Sequence, residues 1–384
     1  MKASIHCRIV LQLIISLAAI ICSKVAVGTS ATSSNCPMKT ETATSSGTDD
    51  ESIRLCFSDV DGTLVHYPAD APLCDSDDDE NSSSNNNNSN PLIFLPPSST
   101  GMRGIISSRT LRLAQHLRSE GCVRLILVSG MRGTTLLKRL PFLPRADAYA
   151  CDAGGRIFYS VDCSDSDWGD YDGPIIQPVE YEGASSKDLE PFGIVEDEEW
   201  RGRMQNIDAA GEDGYDDEIF PEKRRGLLWD FARTLQSQGF VLDFKGYSTC
   251  FRVNRKQQME NVVDDAKFAS LMELIPPDGL ASSVNLGCVD FYPSISGKRN
   301  ACRYLAGKFV ASDEGLDDLL SKRAVCICDD DNDLEMALAC RHAFIPGITS
   351  ESMRQAIEGI VDTTATEEAL TAALAMSSSE AAAS

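Results

Sequence analysis

From residue 53 onward, short apolar runs alternate with stretches whose apolar side chains recur every three or four positions. Ile53–Ser58 and Val123–Val128 are runs of strand length. The first ends in polar residues, and the second is followed by Ser129-Gly130. Between them Leu111, Ala114 and Leu117 are spaced three apart and Gly121 follows, as in an amphipathic helix with a stop signal. Ala148–Tyr159 carries a strand–turn–strand pattern around Gly154-Gly155. Ala324–Cys328 is another buried-strand run, followed by a helix through Leu334 and Leu338. Phe344–Ile345, a helix from Ser350, Ile360–Val361 and a helix from Glu367 continue the alternation. Thr364-x-x-Glu367 reads as a capping box for the last helix. Short apolar strands separated by helices predict an α/β fold: a Rossmann-like, doubly wound parallel sheet with helices on both faces.

The middle of the chain breaks that rhythm. Residues 160–220 are acidic and weakly periodic. Pro221 opens a predicted helix with Leu227, Leu228, Phe231 and Leu235 on one side, stopped by Gly239. Phe240–Lys245 and Thr249–Asn254 read as a hairpin, Met259–Leu274 as a helix ended by Pro276-Pro277, and Val284–Tyr292 as a strand. Helix–strand–strand order predicts an α+β cap on an antiparallel sheet, inserted into the core. The predicted boundaries are 52–155 plus 288–376 for the core and 156–287 for the cap.

Three segments lie outside this pattern. Residues 1–28 read as a targeting signal: Lys2 and Arg8 are basic, Ile9–Cys22 is largely apolar, and Ala26-Val27-Gly28 offers small residues for cleavage. The apolar run is shorter than the roughly 20 residues of a membrane span. The expectation is entry to the secretory pathway and no membrane attachment after processing, with plastid, other organelle or secretion left open. Residues 29–51 form a Ser/Thr-rich linker. Residues 75–90, DSDDDENSSSNNNNSN, contain nothing that fills a core and are expected to be a disordered loop.

Charge and cysteine content narrow the function classes. Among 384 residues, 58 acidic side chains outnumber 35 basic ones, for a net charge of −23. Such a chain lacks the basic surface that nucleic-acid binding requires. Fourteen cysteines are scattered without a Cys-x-x-Cys pair, which argues against a structural zinc site. Cys56, Cys326 and Cys328 sit in apolar runs and read as small buried hydrophobes.

Four short stretches carry candidate chemistry, each at the end of a predicted strand or the start of a helix. Asp59 and Asp61, in Asp-Val-Asp-Gly-Thr, are two apart and project to one side. Two carboxylates so close call for a cation or a shared proton. Ser129-Gly130 supplies a hydroxyl and free backbone N–H groups for phosphate oxygens. Lys298 opens a helix, where its charge opposes the dipole and an anion partner would rationalise it. Asp329-Asp330-Asp331-Asn332-Asp333 is a hard-oxygen cluster suited to Mg²⁺, although acidic residues also suit a helix N-terminus. Together they provide a nucleophilic carboxylate, a second acid, phosphate holders and a metal cluster, the set that phosphoryl transfer through an aspartyl-phosphate needs.

In order and spacing these stretches resemble the haloacid dehalogenase-like phosphohydrolases. The segment between Ser129 and Lys298 resembles the type IIB cap of that superfamily. Glu198-Glu199-Trp200, Thr249–Asn254 and Val289-Asp290-Phe291 are similar to the sucrose-phosphate phosphatase group. Two features depart from the pattern: Cys328 stands where the superfamily usually has Gly, and the acidic loop lengthens the segment after the first motif. The resemblance implies a phosphoric monoester hydrolase acting on a small phosphorylated sugar with Mg²⁺. It implies Asp59 as nucleophile, Asp61 as acid and base, and Ser129, Gly130, Lys298 and Asn332 around the phosphate. It also implies metal contacts from Asp59, Asp61 (through its backbone carbonyl), Asp329 and Asp333. Sugar phosphotransfer or mutase activity, and non-catalytic sugar-phosphate binding, remain open on the sequence alone, as does the oligomeric state.

Overall fold

The computed structural model describes residues 52–67, 92–97, 103–160, 193–208, 223–285, 287–346 and 366–378. The predicted signal, the whole linker, the 75–90 loop, the helix from Ser350, Ile360–Val361 and Thr364 lie outside the described residues. Among the described residues no helix is long and apolar enough to cross a membrane.

In chain order the strands are β1 (Leu55–Ser58), β2 (Leu92–Phe94), β3 (Ile105–Ser107), β4 (Arg124–Val128), β5 (Ala148–Cys151), β6 (Arg156–Ser160), β7 (Ile194–Glu196), β8 (Phe251–Asn254), β9 (Leu280–Asn285), β10 (Cys288–Pro293), β11 (Ala324–Ile327) and β12 (His342–Phe344). The helices are α1 (Ser108–Ser119), α2 (Gly133–Arg139), α3 (Glu198–Asp208), α4 (Leu227–Ser237), α5 (Asp265–Met272), α6 (Lys298–Phe309), α7 (Leu316–Arg323), α8 (Leu334–Ala339) and α9 (Thr366–Ser378).

The large sheet has the order β12-β11-β1-β4-β5-β6-β7. From β12 to β5 all neighbours are parallel; β6 and β7 are added antiparallel. Every residue of β1 is buried, as a central strand covered on both faces requires. Its side chains divide by parity. Cys56 packs with Ala114, Leu117, Leu370 and Ala373 of α1 and α9. Leu55 and Phe57 pack with Ala301, Leu305, Leu320 and Met336 of α6, α7 and α8 on the other face. This is the predicted α/β doubly wound core. After β1 the chain winds outward on one side, and later returns on the other side through β11. The β1/β11 junction is therefore the topological switch point, where ligands of open α/β sheets bind.

The smaller sheet is antiparallel, in the order β8-β10-β9. Phe251, Val253, Val289 and Phe291 turn toward Leu228, Trp229 and Leu235 of α4 and Phe268 and Leu271 of α5. The alternate positions Arg252, Asp290 and Asn285 lie on the opposite face of the sheet.

Several sequence expectations are corrected. β6, β7 and α3 belong to the core, not the cap: β6 and β7 pair into the large sheet, and Trp200 and Met204 pack among its side chains. β10 belongs to the cap, because its alternating apolar face needs the cap helices. The cap therefore extends past 287 to Pro293. The expected hairpin of 240–245 with 249–254 is reduced to one bridge, Asp243 to Arg252. The long helix expected from Met259 starts at Asp265, because Asp264 caps it by accepting from the Lys267 N–H at 2.8 Å. The single strand expected over 284–292 is two strands, with Gly287 at φ +76° in the turn. Among the described residues every cysteine is free, and seven of the nine are buried.

Candidate active site

The switch point gathers carboxylates from three places in the chain. Asp59 follows β1, and its N–H donates to Ile327 O of β11 at 2.9 Å. Asp329 follows β11, and Asp333 ends the short turn before α8. One oxygen from each of Asp59, Asp329 and Asp333 lies within 4.8 Å of the others, and all three residues are buried. Thr63 Oγ1 donates to Asp329 Oδ1 at 2.9 Å. Gly62 sits at φ +90°, and a Cβ there would lie 2.0 Å from Asp329 Oδ2. The glycine of the first motif thus lets the two strand-end loops close on each other.

Lys298 is the first residue of α6. Its Nζ donates to Asp59 Oδ1 at 2.7 Å, to Asp333 Oδ1 at 2.6 Å and to Asn332 Oδ1 at 3.4 Å. The anion that offsets its unfavourable helix position is therefore found within the protein. Its placement depends on the β5–β6 turn. Asp152, Ala153 and Gly154 are consecutive left-handed residues, and the Gly297 N–H donates to Ala153 O at 3.0 Å. A Cβ on Gly154 would lie 2.6 Å from Gly297 O. Left-handed backbone at non-glycine residues costs free energy, here at the turn that seats the lysine. The buried Asp152 carboxylate also ties the core to the cap, accepting from Gly133 N–H at 3.1 Å and Ser248 N–H at 2.8 Å.

Three carboxylates and one ammonium leave an excess of two negative charges. Burial pushes the Asp59 carboxyl well above its ordinary range, and Asp333 and Asp329 push it further while Lys298 pulls it back. Burial and the nearby Asp333 raise Asp329 to about 7. Burial raises Asp333 as well, against Lys298. Burial disfavours the Lys298 ammonium, but Asp333 and Asp59 outweigh it and hold the lysine charged. Asp333 Oδ2 is buried without a hydrogen-bond partner among the described residues. An orphaned carboxylate oxygen, hard-oxygen donors and a double charge deficit fit a divalent cation.

The same electrostatics set a pH dependence for the metal-free protein. The Asp329 carboxyl is raised from 3.8 to about 7 on folding, so the folded state binds its proton more tightly. The stability this contributes is present below about pH 4 and is lost as pH rises through about 7. Urea unfolding in chelator is expected to show a fall on the order of a few kcal/mol over that window. Saturating divalent cation is expected to flatten it. A metal-free protein equally stable at both ends would contradict this electrostatic account.

The remaining predicted site residues lie around the same crevice. Ser129 follows β4, is buried, and its Oγ accepts from the Met131 N–H at 3.1 Å. A Cβ on Gly130 would lie 3.5 Å from Asn332 Nδ2 and 3.2 Å from Asn285 Nδ2 of the cap. Asn332 thus sits between the Ser129–Gly130 loop and Lys298. The Asp61 carboxylate stands apart from the cluster: its Oδ1 accepts from Arg139 Nη1 and Tyr67 Oη. It is not among the three clustered carboxylates.

Sequence reasoning missed Arg139, Tyr67 and Asn285. It quoted Asp290 and Arg252 without a role. Asp290 is buried and takes a two-pronged hydrogen bond from Arg252, at 2.5 and 2.7 Å, with its Oδ2 3.9 Å from the same Gly130 position. The polar face of the cap sheet therefore looks onto the Ser129–Gly130 loop. Strand alternation over 280–293 was the signal that could have found it.

The fold and site define a doubly wound α/β protein whose switch point holds a carboxylate–lysine cluster beneath a β-sheet cap. No family model matches the chain, and no curated protein matches it. Among solved structures it is similar to the sucrose-phosphatase from Synechocystis sp. in complex with sucrose and phosphate, at 13% identity over 84% of this chain and 97% of that one, with a TM-score of 0.45. It is also similar to a haloacid dehalogenase-like hydrolase from Bacillus subtilis, at 14% identity over 85% and 92% of the two chains, TM-score 0.43. A third similarity is to the trehalose-6-phosphate phosphatase from Aspergillus fumigatus, at 12% identity over 86% and 94%, TM-score 0.39. At such identities and scores, the chemistry rests on this chain's own side chains.

Proposed function

We propose that this protein is a Mg²⁺-dependent phosphatase that hydrolyses a small phosphorylated sugar through an aspartyl-phosphate. The observation that carries the reading is the convergence of Asp59, Asp329 and Asp333 within 4.8 Å, with Lys298 Nζ on both Asp59 and Asp333. The motifs resembling haloacid dehalogenase-like phosphohydrolases support it.

Asp59, Asp329 and Asp333 would hold the ion, with the Asp61 carbonyl. Bound there, Mg²⁺ supplies Lewis-acid stabilisation of phosphate charge and relieves the repulsion among the carboxylates. Asp59 attacks phosphorus in line, and Lys298 favours its carboxylate form against the opposing effect of burial. Asp61 gives a proton to the departing sugar oxygen and then takes one from the water that hydrolyses the acyl phosphate. Lys298, Asn332, the Ser129 hydroxyl and the Gly130 N–H hold phosphate oxygens as charge develops. The polar cap face, with Asn285 and the Arg252–Asp290 pair, faces the same crevice from above. Hydroxyl-rich substrates suit such paired donors and acceptors.

Phosphate release from a panel of sugar phosphates, nucleotides and phosphoamino acids, in Mg²⁺, tests this. A sugar phosphate is expected to exceed the non-sugar esters in kcat/KM by about tenfold or more. No free phosphate from any ester would sink the reading. Transfer to an added sugar without free phosphate would replace hydrolysis by phosphotransfer.

A further inference from the structure

Arg139 is a buried cation that the scheme above does not use. It closes α2, where a positive charge suits the helix dipole, and its side chain is only 1% exposed. Its Nη1 donates to Asp61 Oδ1, and its Nη2 donates to Tyr67 Oη at 2.7 Å. Tyr67 Oη in turn donates to the same Asp61 Oδ1. Both donors therefore converge on one oxygen. Among the described residues no hydrogen bond reaches Asp61 Oδ2, and the Asp61 side chain is 31% exposed. An oxygen already accepting from a guanidinium and a phenol has no geometry left for a proton of its own. Any proton that Asp61 carries must sit on Oδ2.

We propose that Arg139 and Tyr67 are positioning residues that grip Asp61 by Oδ1 and make Oδ2 its proton-transfer atom. This rests on the phosphatase reading above. In the hydrolytic half, the water oxygen bonds to phosphorus as the bond from phosphorus to the Asp59 oxygen breaks. That electron pair returns to Asp59 as carboxylate, and the water proton goes to Asp61 Oδ2. The products are free phosphate and a protonated Asp61, which gives the same proton to the sugar oxygen in the next cycle. Loss of the grip leaves the carboxylate present but unaimed. The hydrolytic half should suffer most with an ester whose leaving group needs no proton.

The test uses p-nitrophenyl phosphate with the wild type, Arg139→Met and Tyr67→Phe, measuring kcat, KM and acid-quenched phosphoenzyme. Arg139→Met is expected to lower kcat by about tenfold or more, lower KM alongside it, and convert phosphoenzyme from a minor to the major steady-state species. Tyr67→Phe, which removes only a hydroxyl, is expected to move all three the same way by a smaller factor. A general packing defect would lower kcat/KM without accumulating phosphoenzyme. Unchanged phosphoenzyme in both variants while the wild type turns over would overturn the proposal alone. A wild type that forms neither phosphoenzyme nor free phosphate would overturn the phosphatase reading, and the proposal with it.

Discussion

Asp59→Asn is expected to cut phosphate release by on the order of a thousandfold or more while leaving the fold as stable as before, or more stable. A carboxamide is a poor nucleophile, so no acyl phosphate forms. Stability moves separately because Asp59 is a costly charge. It is buried and sits beside Asp333 and Asp329, and these effects drive its carboxyl well above the usual range. The amide is nearly isosteric and uncharged, and it keeps an oxygen to accept from Lys298 Nζ. Lys298 also retains Asp333 at 2.6 Å. Turnover under saturating Mg²⁺ and urea midpoints in chelator check both halves. Near-wild-type turnover would remove Asp59 as nucleophile. A large loss of stability would show instead that the carboxylate is chiefly a structural anchor for Lys298.

The cluster was legible in the sequence because strand ends translate position into place. Asp59 and Asp329 each follow a short apolar run, and two such runs in a parallel sheet end on the same edge. Lys298 was legible as a cation in an unfavourable helix position seeking an anion; that the anion is internal was not. Boundaries were less legible. β6 is a short apolar run at Ile157, Phe158 and Tyr159 and β10 alternates apolar Val289 and Phe291 with Asp290, and neither pattern says which layer covers it. Residues 240–245 look like a strand by composition, but only Asp243 bridges to Arg252. Arg139 was beyond reach for a different reason. A basic residue in the last turn of a helix is what the dipole favours anyway, so it carries no signal. Its contact with Asp61 joins residues 78 apart, and only the tertiary fold creates it. The Asn285 approach to Gly130 depends likewise on how the cap lies over the core.

Lys298→Met is expected to damage both activity and stability, with the stability cost depending on pH. Lys298 is buried and bridges Asp59 and Asp333. Removing one partner of a buried ion pair leaves uncompensated charge and typically costs about 3–5 kcal/mol. Here the stranded groups have a second escape, because carboxyls already raised by burial can take up protons. Lys298 is what pulls Asp59 and Asp333 back down, so both rise further without it. A carboxyl raised on folding gives stability at low pH that is lost as pH rises. The variant should therefore lie close to wild type near pH 5 and fall furthest below it near pH 8, compared by urea unfolding in chelator. Turnover should drop by about a hundredfold or more, as when one donor to a developing oxyanion is removed. A variant equally destabilised at both pH values would mean that the lysine acts by packing rather than by charge. Turnover within a few-fold of wild type would mean that it does not hold the phosphate.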